Sequence, residues 1–203
     1  EIAANNHAFF TLSRLVGADG RVLNMADFNP RTGNTWGERT PELNDPRYAP
    51  RGISASSCWA LGQAWAIYGF TSVYRHQGKT MFLDTAQRTA NYFLSKCAED
   101  GLPPWDLDAT GSDADLKDAS AAAVAAAGML KLARLSPNQN DRVRYQKAGE
   151  KIISTLSSRY FRHGAGVLGG GVFRSADRGD AVSTVWGDYY YIEALLLLMD
   201  YDV

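Results

Sequence analysis

The run Cys58-Trp59-Ala60-Leu61-Gly62-Gln63-Ala64-Trp65-Ala66-Ile67-Tyr68-Gly69-Phe70 decides the fold. Wound as a helix it is apolar on every side, so the element it opens, predicted over about Ser54 to His76, must be buried on both faces. The serines ahead of it are candidate N-caps. Two further stretches have the same character: Lys117-Asp118-Ala119-Ser120-Ala121-Ala122-Ala123-Val124, opening a helix to Leu135, and Val185-Trp186-Gly187-Asp188-Tyr189-Tyr190-Tyr191-Ile192-Glu193-Ala194-Leu195. Between them lie helices apolar on one side only. Thr80 to Cys97 sets Phe82, Leu83, Ala86, Ala90, Phe93 and Leu94 against Asp84, Gln87, Arg88, Asn91 and Lys96. From Asp141 to about Arg159, Val143, Ile152, Ile153 and Leu156 oppose Arg142, Lys147, Glu150 and Lys151. All-apolar and one-sided helices alternate with a period of roughly 60 residues, two helices per unit. The fold class is therefore all-α, built of α-hairpin repeats whose inner helices are buried only when the hairpins stack into a solenoid or close into a toroid.

Working outward, Ile2, Ala3, Phe9, Phe10, Leu12 and Val16 predict a first helix, which Gly17 and Asp19-Gly20 stop. A long connection follows to about Gly52, carrying Pro30, Pro41, Pro46 and Pro50 and a possible hairpin around Thr32-Gly33-Asn34. Loops of that length in a compact domain are usually functional. In the alternation the first helix takes an outer position, so its inner partner is expected before Glu1. The expectation is that residues 1–203 are the C-terminal half of a larger single domain.

Composition narrows the partners. With 203 residues and 45% hydrophobic content the chain can bury a real core. Its net charge is -1 and it has no long basic run, so nucleic acid is not an expected partner. The longest strongly apolar run, around Leu195 to Met199, is far short of the ~20 residues that cross a membrane, and no membrane partner is expected. Cys58 and Cys97 are read as buried free thiols. His7, His76 and His163 have no spacing suited to a shared ion, so neither metal nor cofactor is predicted. Gly78-Lys79-Thr80 is rejected as a phosphate loop, since Val73 stands where the first glycine should be and a helix precedes it. The glycine cluster from Gly164 to Gly171 reads as a flexible surface loop that enters an inner helix and so can rim a pocket.

At these motifs the sequence resembles the unsaturated glucuronyl hydrolases, glycoside hydrolase family 88, with the unsaturated rhamnogalacturonyl hydrolases of family 105 as cousins. The family's W-S-R-G-Q-A-W-A-I-Y-G-F is matched by Trp59 to Phe70, its D-G-x-P-x-W-D-F-D by Asp100 to Asp108, its K/R-D-S-S-A-A-A by Lys117 to Ala123, and its I-W-G-D-Y-Y-x-x-E-A-L by Val185 to Leu195. The resemblance implies an (α/α)6 barrel of which this is the second half, with the first half as its partner. It implies an enzyme that removes a 4,5-unsaturated uronic acid from the non-reducing end of lyase-generated oligosaccharides. The chemistry would be hydration of a vinyl ether and collapse of the resulting hemiketal, which needs a carboxyl group as acid and base. By the same resemblance both key aspartates precede this chain, and its own catalytic residues are unknown.

What the resemblance leaves here is the binding half of the site, with Trp65, Arg51, Asn24 and Gln63 as the expected substrate contacts. Trp65 matches a pocket tryptophan whose indole face packs on a sugar ring, though an inner-helix tryptophan is equally read as core filler. Four residues earlier the family's arginine is Leu61, which offers a uronate no charge. Arg51 falls where the family has a glutamine before a glycine, matched by Gly52. It either restores the lost cation or is a solvated loop arginine. Asn24, ahead of Asp27-Phe28-Asn29-Pro30, aligns with the family's pocket histidine. Asp106 and Asp108 resemble a catalytic carboxyl pair but, at a helix-entry loop, are read as caps on backbone amides; Asp188 is given the same role. The tyrosines at 189 to 191 are read as helix core. Against the hydrolase stand a carbohydrate-binding or inactive relative, favoured by Leu61, and a plain α-hairpin scaffold for protein partners.

Overall fold

A computed structural model describes residues 2–24, 26, 31–32, 52–54, 56–162, 164, 166–172 and 182–203. Arg51 and the Thr32-Gly33-Asn34 hairpin beyond Thr32 lie outside the described residues, as does His163. Among the described residues there are six α-helices: α1 (Ile2–Leu15), α2 (Ala60–Gln77), α3 (Thr80–Lys96), α4 (Ala119–Leu135), α5 (Gln139–Arg159) and α6 (Val185–Leu198). Among the described residues extended pairing is limited to isolated bridges.

The centre of the fold is α4, where every residue from Ala119 to Ala133 is buried. Alanine is the best helix former and the smallest side chain that still has a Cβ, so the helix forms readily and lets its neighbours come close. Those neighbours are α2 and α6 on the inner side and α5 on the outer. Glycines mark two close approaches. A Cβ on Gly128 would stand 3.0 Å from the backbone nitrogen of Tyr68 in α2, and one on Gly149 of α5 would stand 2.7 Å from Leu130. The outer helices follow their patterns except at Leu94, which is half-buried, and Val143, which is 42% exposed: α3 buries Phe82, Leu83, Ala86, Ala90 and Phe93 against α2, and α5 buries Tyr145, Ile152, Ile153 and Leu156 against α4.

The inner helices α2 and α4 start later than their patterns predict. The second helix begins at Ala60 instead of near Ser54, because Cys58 and Trp59 are spent on another loop: Leu107 N–H donates to Cys58 O (2.7 Å) and Ala60 N–H to Trp105 O (3.1 Å). The nearby serines are not its caps, and Trp59 at the N-cap position makes no side-chain cap. The inner helix expected from Lys117 starts at Ala119, since Asp118 caps it by accepting from Ser120 N (2.9 Å) and Ala121 N (3.2 Å). Asn138 does the same for α5, which begins at Gln139. Gly78, left-handed at φ 68°, closes α2 with its N–H on Tyr74 O, so Gly78-Lys79-Thr80 is the turn into α3.

The segments entering α2, α4 and α6 are stitched into one layer. Bridges join Trp59 to Asp106, Pro104 to Lys117 and Gly171 to Val182, and Ala119 N–H donates to Gly170 O (2.9 Å). The glycine cluster is thereby anchored over residues 167–172, with Leu168 and Val172 buried, and is not the flexible surface loop its composition suggests.

Candidate substrate-binding site

Beneath this layer, α2 and α6 turn aromatic side chains to one side. Trp65, on a helix that buries Leu61, Ala64 and Ile67, is 36% exposed. It lines an apolar groove of about 300 Å³ together with Asn24, Phe70 and, from α1, His7, Thr11 and Leu15. Two of the expected contacts, Trp65 and Asn24, thus share one groove. Asn24 is held there by its amide, which donates to Ser54 O (3.0 Å), and by its backbone N–H on Ser57 O (2.9 Å). Trp65 is neither core filler nor free: its ring meets Tyr190 edge-on at 5.1 Å between centroids and 74° between planes.

Gln63 requires correction. Expected at the substrate, it is wholly buried, and all its polar capacity is used within the chain. Its carbonyl accepts from Val22 N–H (2.8 Å) and the Cys58 thiol (3.2 Å), and its amide donates to Gly20 O (2.7 Å) and Thr89 O (2.9 Å). It is the tie that fastens the turn after α1 to α2 and α3. Leu61 is also enclosed within the core.

The carboxylates do structural work. Asp106 is buried and accepts from Ile53 N–H (2.9 Å), Ser57 hydroxyl (2.6 Å) and Asp108 N–H (3.0 Å). Asp108 accepts from Cys58 N–H (3.0 Å) and pairs with Arg21, whose fork also reaches Ser56 O. Burial works against its ionisation, but the Arg21 hydrogen bond and charge outweigh this and hold its carboxyl below the usual value. The Gly52 motif position is explained here: a Cβ would stand 2.3 Å from the Asp106 carboxylate. Asp188 caps backbone amides, but those of Val167 (3.1 Å) and Leu168 (2.7 Å) in the glycine cluster; the N-cap of its own helix is Thr184.

Among the described residues, Asp118 is the one carboxyl pushed upward, to about 6, by complete burial against the counter-pull of its hydrogen bonds. That value suits a general acid, yet no part of the residue is exposed to meet a substrate. Among the described residues no three metal-ligating side chains converge, and no helix is long and apolar enough to cross a membrane. Both cysteines are unbridged, Cys58 buried and Cys97 half-buried, and burial pushes each thiol up to about 12.

Sequence reasoning missed the groups around Trp65. The tyrosines at 189 to 191 are not all core: Tyr191 is buried, but Tyr189 is 58% exposed and Tyr190 is the hub that touches Trp65, Tyr68 and Tyr189. Lys131 and Glu193, charges set among the apolar residues of their helices, form a buried pair at 2.9 Å. A charge flanked on both sides by apolar residues was the available signal for both.

The unsaturated glucuronyl hydrolase of Bacillus sp. (strain GL1) is 33% identical over 201 residues, which is 96% of this chain and 51% of the relative. The chain is homologous to the unsaturated glucuronyl hydrolases. An unsaturated chondroitin disaccharide hydrolase of Streptococcus pneumoniae is 29% identical over 95% of the chain and 48% of its own length. A solved unsaturated glucuronyl hydrolase specific for heparin superposes with a TM-score of 0.85 at 28% identity, over 98% of this chain and 52% of that one. No protein-family model matches the chain. It spans about half the length of the curated relatives it matches. Its helical architecture is that of these unsaturated glucuronyl hydrolase homologues.

Proposed function

We propose that this chain is the substrate-binding half of an unsaturated uronyl hydrolase, the second half in chain order of a single (α/α)6 ring. The observation that carries the reading is Trp65: an exposed indole on the groove face of an inner helix, in the groove with Asn24, within a motif shared with hydrolases of unsaturated uronyl sugars. The relatives' names span glucuronyl, chondroitin and heparin substrates, so the shared chemistry is a 4,5-unsaturated uronic acid at the non-reducing end of an oligosaccharide. Trp65 would pack on the apolar face of that sugar, and hydration of its double bond would use carboxyl groups from the other half. Consistent with that division, Asp106, Asp108, Asp118, Asp188 and Glu193 are engaged with backbone amides, hydroxyls or cations.

The fold leaves two apolar edges for the other half to cover. One is the groove face of α2, carrying Gly62, Ala66, Gly69 and Val73. The other is the stripe Val185, Tyr189, Ile192 and Met199 along and beyond α6, with Val185 79% exposed. Leu61 favours a second reading, a binder that has lost the chemistry, because its enclosed aliphatic side chain gives a uronate no cation. Arg51 is proposed as the substitute cation. In the assembled protein, Trp65→Ala should weaken binding of an unsaturated disaccharide by about 1–3 kcal/mol. Arg51→Gln should weaken a uronate ligand about tenfold and a neutral one hardly at all, the scale of a charge-assisted hydrogen bond. Release of the unsaturated sugar by the parent protein decides between hydrolase and binder. Unchanged affinity in Trp65→Ala would remove the platform.

A further inference from the structure

Each inner helix contributes one member of a buried polar cluster: Tyr68 from α2, Lys131 from α4 and Glu193 from α6. The Lys131 ammonium donates to Glu193 Oε1 (2.9 Å) and to the Tyr68 hydroxyl (2.9 Å), and that hydroxyl donates to the same Oε1 (3.0 Å). The ammonium also sits 4.7 Å from the centre of the Tyr68 ring. Side-chain exposure is 10% for Lys131 and 6% for Glu193. A buried ion pair is poor value as a stabiliser, because well-packed apolar residues usually do as well once desolvation is counted. What such a pair supplies is geometry, and here the geometry it fixes is that of the Tyr68 ring.

From Tyr68 a chain of edge-to-face contacts leads to the groove. Its ring meets Tyr190 at 4.8 Å and 75°, and Tyr190 meets Trp65 at 5.1 Å and 74°. Tyr190 therefore stands between the clamped ring and the exposed indole. An indole that is over one-third exposed and lacks such a brace samples several rotamers, and a ligand binding to it must pay for their loss.

We propose that the Lys131–Glu193 pair is a positioning device for the Trp65 indole: it clamps the Tyr68 hydroxyl, the clamped ring fixes Tyr190, and Tyr190 holds Trp65 ready for a sugar. The proposal rests on the reading of Trp65 as the sugar platform. Lys131, Glu193, Tyr68 and Tyr190 are positioning residues in this account, acting through Trp65.

The test uses the assembled protein labelled with 5-fluorotryptophan, the Trp65 resonance being assigned by Trp65→Phe, with Kd for an unsaturated disaccharide measured alongside. Tyr190→Phe keeps the ring edge and should leave one narrow Trp65 signal and a Kd within about twofold of the parent. Tyr190→Leu should broaden or split that signal and raise Kd about five- to tenfold. The double variant Lys131→Met with Glu193→Leu, which replaces the pair by apolar groups of similar size, should do the same while the protein stays folded. A Trp65 signal and Kd unmoved in both disruptive variants, with only the melting temperature lowered, would show that the cluster merely cross-links the three helices. If Trp65→Ala itself leaves Kd unchanged, the platform reading falls, and the fluorine spectrum still decides whether the cluster holds the indole.

Discussion

The helices α4 and α6 are written in the same apolar language and meet opposite fates. All of Ala119 to Ala133 is buried, whereas α6 leaves Val185, Tyr189 and Ile192 open along one side. The difference lies in their neighbours: α4 is flanked by α2, α5 and α6, while α6 packs along α4, touches α5 and reaches α2 through Tyr190 and Glu193. An all-apolar helix states that it must be surrounded, and the structure shows which sides have been supplied. By the same comparison α2, packed on α3 and α4, is the other helix with an apolar side left open, along its groove.

The largest effect should come from crowding the closed side. At Gly128 a Cβ meets the backbone nitrogen and Cα of Tyr68 at 3.0 and 3.1 Å, and neither atom can move without moving α2. Gly128→Leu should cost about 3 kcal/mol in urea unfolding, the upper range of overpacking, and a loss below about 0.5 kcal/mol would mean that α2 and α4 do not meet there.

Next comes a pH effect from the top of α4. Buried Asp118 titrates near 6, above the ordinary 3.8 it would show unfolded. Between those values the native state holds a proton that the unfolded state has lost, so the contribution is full below about 4 and disappears as pH rises through about 6. The size is about 3 kcal/mol. Asp118→Asn, which keeps an acceptor for the Ser120 and Ala121 amides, should flatten that part of the stability profile. An unchanged slope would place the titration elsewhere.

The open edges should show themselves to a hydrophobic dye. The chain on its own is expected to bind it strongly, and Val185→Asp with Ile192→Asp should remove roughly half the signal without moving the unfolding midpoint, since these side chains contribute little to the core. A chain alone that melts as a cooperative monomer and ignores the dye would count against the half-ring.

Helix periodicity made the hairpins and their inner or outer positions legible, because burial on one side or all sides is written directly into spacing. The starts of α2 and α4 were less so: a cap or a stop depends on partners far along the chain, as Leu107 and Trp105 are for Cys58 and Ala60. At the site, family motifs pointed to Trp65 and Asn24, and the structure brings them to one groove. They also pointed to Gln63, which ties three segments of this chain together, a role that no motif distinguishes from ligand contact. The Arg21–Asp108 pair and the Tyr68–Lys131–Glu193 cluster join residues from separate units. Spacing carries no mark of such pairings.

The smallest effect is the most discriminating, because its sign depends on what covers α2. Gly69 lies one residue beyond Tyr68, the residue that Gly128 crowds, but a Cβ there meets nothing within 4 Å. On the chain alone Gly69→Ala should therefore stabilise α2 by about 0.5–1 kcal/mol, the ordinary gain of alanine over glycine inside a helix. Inner helices in this fold approach closely where a glycine permits it, as α2 and α4 do at Gly128. If the first half of the ring brings another inner helix onto the groove face, the same methyl group meets its backbone, and the gain should vanish or reverse in the assembled protein. Equal stabilisation in both settings would mean that no helix packs at Gly69, and the ring would have to close by some other contact.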